Sequence, residues 1–180
     1  MKVKVRQRVR YPSAELLLQP CMEDYKYQLE SYNRIYDKVN IAMAFCTAVL
    51  VVILDSVDTK YVPMMLSAVN AEGFLRSAIP FFLSLGSAVL IFVATIQLLN
   101  LMISRSLTVF DSVAFRNEHC YFDAPEYTAF LLIAAYTEAT YDLRSIVAEK
   151  QSVYDSTIKK ALVAIILFAL YTALKEVMAI

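Results

Sequence analysis

Glycine is nearly missing from this chain: Gly73 and Gly86 are the only two among 180 residues. So few glycines exclude a Gly-rich phosphate loop and argue against a fold of tight hairpins. The three cysteines, Cys21, Cys46 and Cys120, are odd in number and have no CxxC spacing, so they supply neither a zinc site nor a disulfide framework. Cys46 falls in an apolar run, where a small buried thiol is the ordinary expectation. The single histidine, His119, has Cys120 beside it and no ligand partners at metal-binding spacing. No HExxH, GxSxG or Walker-type run is present, and the expectation is a protein that is not an enzyme and needs no cofactor. Net charge is also lacking, because 17 basic residues meet 17 acidic ones. That balance excludes a strongly basic nucleic-acid binder on composition. Finally, the basic start MKVKVRQRVR is not followed by the apolar core of a cleavable signal peptide, so the first membrane span is expected to act as its own insertion signal.

What the chain does have is hydrophobic length. Apolar residues make up 59% of it and charged residues only 19%, and the charges lie between apolar runs. Ala78 to Ile96 carries no charge at all. At about 1.5 Å per residue it covers most of the roughly 30 Å of a bilayer's hydrocarbon core. Val39 to Leu54 precedes it, and Ala161 to Ile180 follows, its apolar stretch interrupted only by Lys175 and Glu176. Backbone amides in lipid must be paired within their own segment, so all three runs predict helices. The predicted class is an all-α membrane protein with three transmembrane helices (about 39–54, 78–96 and 161–180), whose helical extensions form a cytoplasmic bundle that includes a segment at about 105–160. Residues 1–21 make a basic N-terminal segment and 22–180 the helical membrane domain.

Lysine and arginine set the expected orientation. Lys2, Lys4, Arg6, Arg8, Arg10, Lys26, Arg34 and Lys38 precede the first span, whereas only Lys60 and Arg76 separate it from the second. Basic residues rise again between the second and third spans. The positive-inside rule then places the N-terminus and the long second loop in the cytoplasm of a multi-pass inner-membrane protein.

Several segments carry finer expectations. Lys2 to Tyr11 alternates basic and apolar residues, the period of a strand whose basic face meets anionic lipid, an acidic partner or nothing beyond topology. Pro12 and Pro20 bracket a short amphipathic piece, Ser13–Gln19, at the membrane surface. From Met22 to Leu54 a single helix is predicted, with Tyr25, Leu29, Tyr32 and Tyr36 on one face. Asp123-Ala-Pro-Glu126 reads as a helix start, followed to the chain's end by no Gly or Pro. One helix rising from there into the bilayer is the reading, with a break near Glu149–Gln151 as the alternative.

Candidate functional residues follow from polar groups inside apolar runs. Ser77, Pro80, Ser84, Ser87 and Thr95 fall on one side of the second span, and Gly86, Gln97, Asn100 and Ser104 on the other. The serines suit close helix packing, while Gln97 and Asn100, with Ser104, either pack or line a wet path in a homo-oligomer. Asp37, Lys38 and Asn40 mark the start of the first span, where Asp37 either fixes depth or pairs with Lys159 or Lys160 on the returning helix.

The polar helix running into the first span, YQLESYNRIYDKVNIAMAFCTAVL, and the Lys-Lys step into the last, EKQSVYDSTIKKALVAIILFAL, give the chain a familiar layout. It resembles the small helical transmembrane effectors of bacterial anti-phage systems, the Pycsar-type effectors and the related SLATT-like group. The resemblance implies an effector that answers a cytosolic signal, from a partner or a nucleotide, by breaching the inner membrane. By residue it extends to Asp37, Lys38 and Asn40, and it implies no catalytic residue. The chain departs from that layout in having no recognisable cyclic-nucleotide-binding domain. The competing reading is a non-catalytic membrane scaffold that recruits a soluble partner through its tyrosine-rich helices.

Overall fold

The computed structural model describes residues 13–103 and 125–178, and among these every regular element is a helix. Helix α1 runs Ala14–Ser56, the short α2 Tyr61–Leu66, α3 Ala71–Met102 and α4 Pro125–Met178. The all-α class and three helices long and apolar enough to cross a membrane are thus as the sequence predicts. The basic segment at Lys2, Lys4, Arg6, Arg8 and Arg10 lies outside the described residues, as do Ser104, His119, Cys120 and Asp123.

One boundary differs from expectation, and one alternative is removed. The piece Ser13–Gln19 is not separate, because α1 starts at Ala14 and passes through Pro20. Proline there removes one N–H and leaves only the Leu16 carbonyl without its helical partner. Leu16 is 77% exposed, so water can take that place. Similarly, α4 has no break at Glu149–Gln151 and begins with Pro125 in the first-turn position where proline's missing N–H costs nothing.

The chain forms two compact units, each built from parts of α1 and α4. In the first, with described residues 13–35 and 125–149, the outward positions are mixed: Glu15, Glu23, Lys26, Glu30, Glu138 and Glu149 are exposed, and so are Leu16, Tyr27, Phe130 and Tyr141. Tyr25 packs on Tyr136 with ring centroids 5.5 Å apart, and Arg144 reaches Asp24 at 3.5 Å. A cleft of about 140 Å³ lies beside that pair, bordered by Cys21, Thr140 and Tyr141.

The second unit, Tyr36–Ser104 with Lys150–Ile180, holds the three apolar spans. Over residues 41–54, 79–99 and 162–170 its outward positions are almost all apolar: Phe45, Phe82, Phe92 and Ile166 are each at least half exposed. Its interior mixes small and polar residues with large apolar ones: Ser84, Ser87, Thr157, Cys46 and Ala164 are almost fully buried, and so are Ile53, Ile91, Leu98 and Tyr171. A water-soluble bundle presents a polar outer face instead. In lipid, small interior residues bring helices close, and no polar outer face is required.

The buried positions share one rhythm. On α3 they step by three and four through Ser77, Pro80, Ser84, Ser87, Ile91, Ala94, Leu98 and Leu101. On α4 the same steps give Lys150, Thr157, Ala161, Ala164 and Tyr171, with the half-buried Tyr154 and Phe168 between them. On α1 they give Val39, Ala42, Cys46 and Ile53, with Val49 half-buried. A mean step of 3.5 is the repeat of left-handed coiled-coil packing. Bonds from Tyr36 to Lys150 and from Ser56 to Tyr171 make α1 and α4 parallel within this unit. Those from Leu101 to Lys150 and from Gln97 to Lys160 make α3 antiparallel to α4, as successive crossings demand.

Candidate functional site

The polar chemistry of the membrane unit is concentrated on the inward stripe of α4. A helix leaves its last four carbonyls without backbone partners, and in lipid no water replaces them. At the C-terminal end of α3 the buried Lys150 answers this need: its Nζ donates to the Leu101 carbonyl oxygen at 2.9 Å and to the Tyr36 hydroxyl oxygen at 2.6 Å. The same ammonium lies 4.3 Å from the centre of the Tyr36 ring, a cation–π distance. Lys150 is only 5% exposed. A positive charge there also meets the negative end of the α3 dipole.

At the opposite end, α4 repeats the device with a neutral group. Tyr171, fully buried, donates its hydroxyl proton to the carbonyl oxygen of Ser56, the last residue of α1, at 2.9 Å. Lys150 and Tyr171 are three heptads apart on one stripe, about 31 Å along the axis. One helix therefore caps both of its neighbours, α3 at one end and α1 at the other.

Between the two caps lies Gln97. Its Oε1 accepts from Lys160 Nζ at 2.9 Å and lies 3.2 Å from Thr157 Oγ1. Thr157 has one hydroxyl proton and directs it to the Val153 carbonyl at 2.8 Å, so Lys160 is the principal donor to Gln97. Among the described residues every buried side-chain nitrogen and oxygen has a partner. Also among them, no three His, Cys, Asp or Glu side chains converge to hold a metal ion.

The residues singled out by sequence are distributed unevenly around this cluster. Ser84 and Ser87 lie in the α3 seam, their hydroxyls donating back to the carbonyls of Phe81 and Ser84. Gln97 is half-buried against α4, whereas Asn100 is exposed. Asp37, Lys38 and Asn40 are exposed on the outer side of α1, away from its seam. Lys160 consequently pairs with Gln97 instead of Asp37, and Lys159 is exposed. The tyrosine face of α1 turns into the chain's own packing: Tyr32 is 6% exposed and Tyr25 stacks on Tyr136.

Sequence reasoning missed Lys150 and Tyr171. A signal was available: Tyr136, Leu143, Lys150, Thr157, Ala164 and Tyr171 recur every seven residues, which places the lysine in one column with buried positions. Compared with known proteins, the chain matches no protein family, no curated protein and no solved structure.

Proposed function

We propose that this chain is an oligomeric inner-membrane effector that permeabilises the bilayer in response to a cytosolic signal, in bacterial anti-phage defence. What supports the reading most is the change of outer face along α1 and α4. On both helices the exposed positions of the first unit mix charged residues with apolar and aromatic ones, whereas over residues 41–54 of α1 and 162–170 of α4 they are almost all apolar, with the inward stepping of three and four unbroken. Two continuous helices thus link a water-facing unit to a lipid-facing one. In this reading the first unit is cytoplasmic and receives the signal, and the lipid-facing unit opens or self-associates when α1 and α4 shift. The Lys150–Leu101 and Gln97–Lys160 bonds are the contacts such a shift must break or remake.

The test is membrane potential in bacteria induced to express the chain, read with a potential-sensitive dye. Depolarisation with growth arrest is expected, and Gln97→Leu/Asn100→Leu is expected to change its extent. An unchanged potential at every level of expression and also during phage infection, with the protein inserted in the membrane, rejects the effector.

A second reading is a membrane scaffold whose water-facing unit recruits a soluble protein. It is favoured by Tyr27 and Tyr141, which are 59% and 75% exposed on that unit. It expects a stoichiometric cytosolic protein to co-purify and to be lost on Tyr27→Ser/Tyr141→Ser.

A further inference from the structure

At the end of the membrane unit where Tyr171 caps α1, the α1–α2 turn, α2, the start of α3 and the end of α4 border an open cavity of about 350 Å³. Volumes of about 300–1,000 Å³ are usual for small-ligand sites. Lys60, Arg76 and Lys175 line it, against one carboxylate, Asp58. Asp58 is already engaged: it accepts the Lys60 backbone N–H at 3.1 Å and sits 3.9 Å from Lys175 Nζ. Among the described residues neither Lys60 nor Arg76 has an ion-pair partner within 4 Å. The cavity therefore carries a surplus of two positive charges. Tyr61 adds a hydroxyl to the wall; burial pushes its phenol up, with Tyr171 adding to the rise, Lys175 opposing it and Asp58 adding again, so it stays a proton donor at neutral pH. Met64 supplies an apolar wall.

Depth narrows the ligand further. On α3 the last outward charge is Arg76, with Phe74 and Leu75 exposed beside it, and from Ile79 to Leu99 the outer face is apolar; on α4 Leu170 is followed by the charged Lys175. The cavity sits at that change, where a bilayer places its headgroups. Guanidinium and ammonium groups without carboxylate partners suit phosphate oxygens, Arg through its planar fork and Lys as a point charge.

We infer that this cavity binds the phosphate of an anionic phosphoester through Lys60, Arg76 and Lys175, with an anionic phospholipid headgroup as the source that its depth favours. The inference is independent of the effector reading, since a scaffold could hold the same lipid.

The test uses the purified full chain in detergent with equal amounts of phosphatidylglycerol and phosphatidylcholine, and native mass spectrometry to count retained lipid. The wild type is expected to favour phosphatidylglycerol by about tenfold, the scale of a charge-assisted contact. Lys60→Gln/Arg76→Gln is expected to bring the two lipids to parity, while Lys26→Gln, in the other unit, keeps the preference. Lys60→Gln alone, at an exposed turn position, gives the comparison if the double variant does not fold. A parallel calorimetric titration of the lipid-free protein uses inorganic phosphate and glycerol 1-phosphate. Binding there that the variants lose, with no phosphatidylglycerol preference, supports the phosphate site and assigns it a soluble phosphoester. Neither preference nor heat, or a preference unchanged in a folded variant, overturns the inference.

Discussion

Lys150 Nζ donates to the Leu101 carbonyl oxygen across 2.9 Å, so a residue deep in one helix closes the end of another. The Asn100 carbonyl next to it is answered locally by the Ile103 N–H at 3.3 Å, whereas the carbonyl of Leu101, a residue only 8% exposed, is answered by another helix. Burying an ammonium is costly, and the cost is offset here because the charge meets a helix's negative end and a phenol together.

Lys150→Met keeps the side chain's length and removes its proton donors. The Leu101 carbonyl and the Tyr36 hydroxyl each then lose the bond from Lys150, which costs about 1–3 kcal/mol. A lowered midpoint of thermal unfolding in detergent is the expected result. Wild-type stability in this variant would mean that the ammonium does not hold the end of α3.

Tyr171→Phe tests the cap on α1. It removes a single hydroxyl at a site with no exposed surface and leaves the Ser56 carbonyl unpaired. A loss of about 1–3 kcal/mol is expected, with the ring packing against Phe168 preserved. Hydrogen exchange at the last turn of α1 should quicken more than at its middle.

Gln97 and Lys160 form a unit suited to a double-mutant cycle. Gln97→Leu leaves a half-buried ammonium without its acceptor, expected to cost about 1.5–3 kcal/mol, because bonds to charged groups are the stronger ones. Lys160→Met removes that charge, so the double variant is expected to be less destabilised than the sum of the singles. Strict additivity in unfolding experiments would show that the 2.9 Å contact carries no coupling.

Ser87 reports on helix separation. It is fully buried in the α3 seam, and Ser87→Leu forces a large side chain between close helices, at about 1–3 kcal/mol. Val89, 53% exposed on the lipid-facing side, is the control: Val89→Leu is expected to leave the unfolding midpoint unchanged.

The order of amino acids alone discloses the three apolar helices, because uncharged runs such as Ala78 to Ile96 leave the backbone one way to satisfy itself in lipid. It also placed Ser77, Pro80, Ser84 and Ser87 on a common side, which the structure turns inward. It did not disclose the seam as a whole. Where both the lipid face and the interior are apolar, hydrophobic period no longer separates them, and the inward residues are as varied as Val39, Ala42, Cys46 and Ile53. Nor could the chain's order tell that Lys150 meets Tyr36 and Leu101, or that Lys160 turns to Gln97 instead of Asp37. Those pairings depend on which faces of three helices meet and in what register. Only packing decided that, because a carbonyl at a helix end takes whatever donor the neighbouring helix brings within reach.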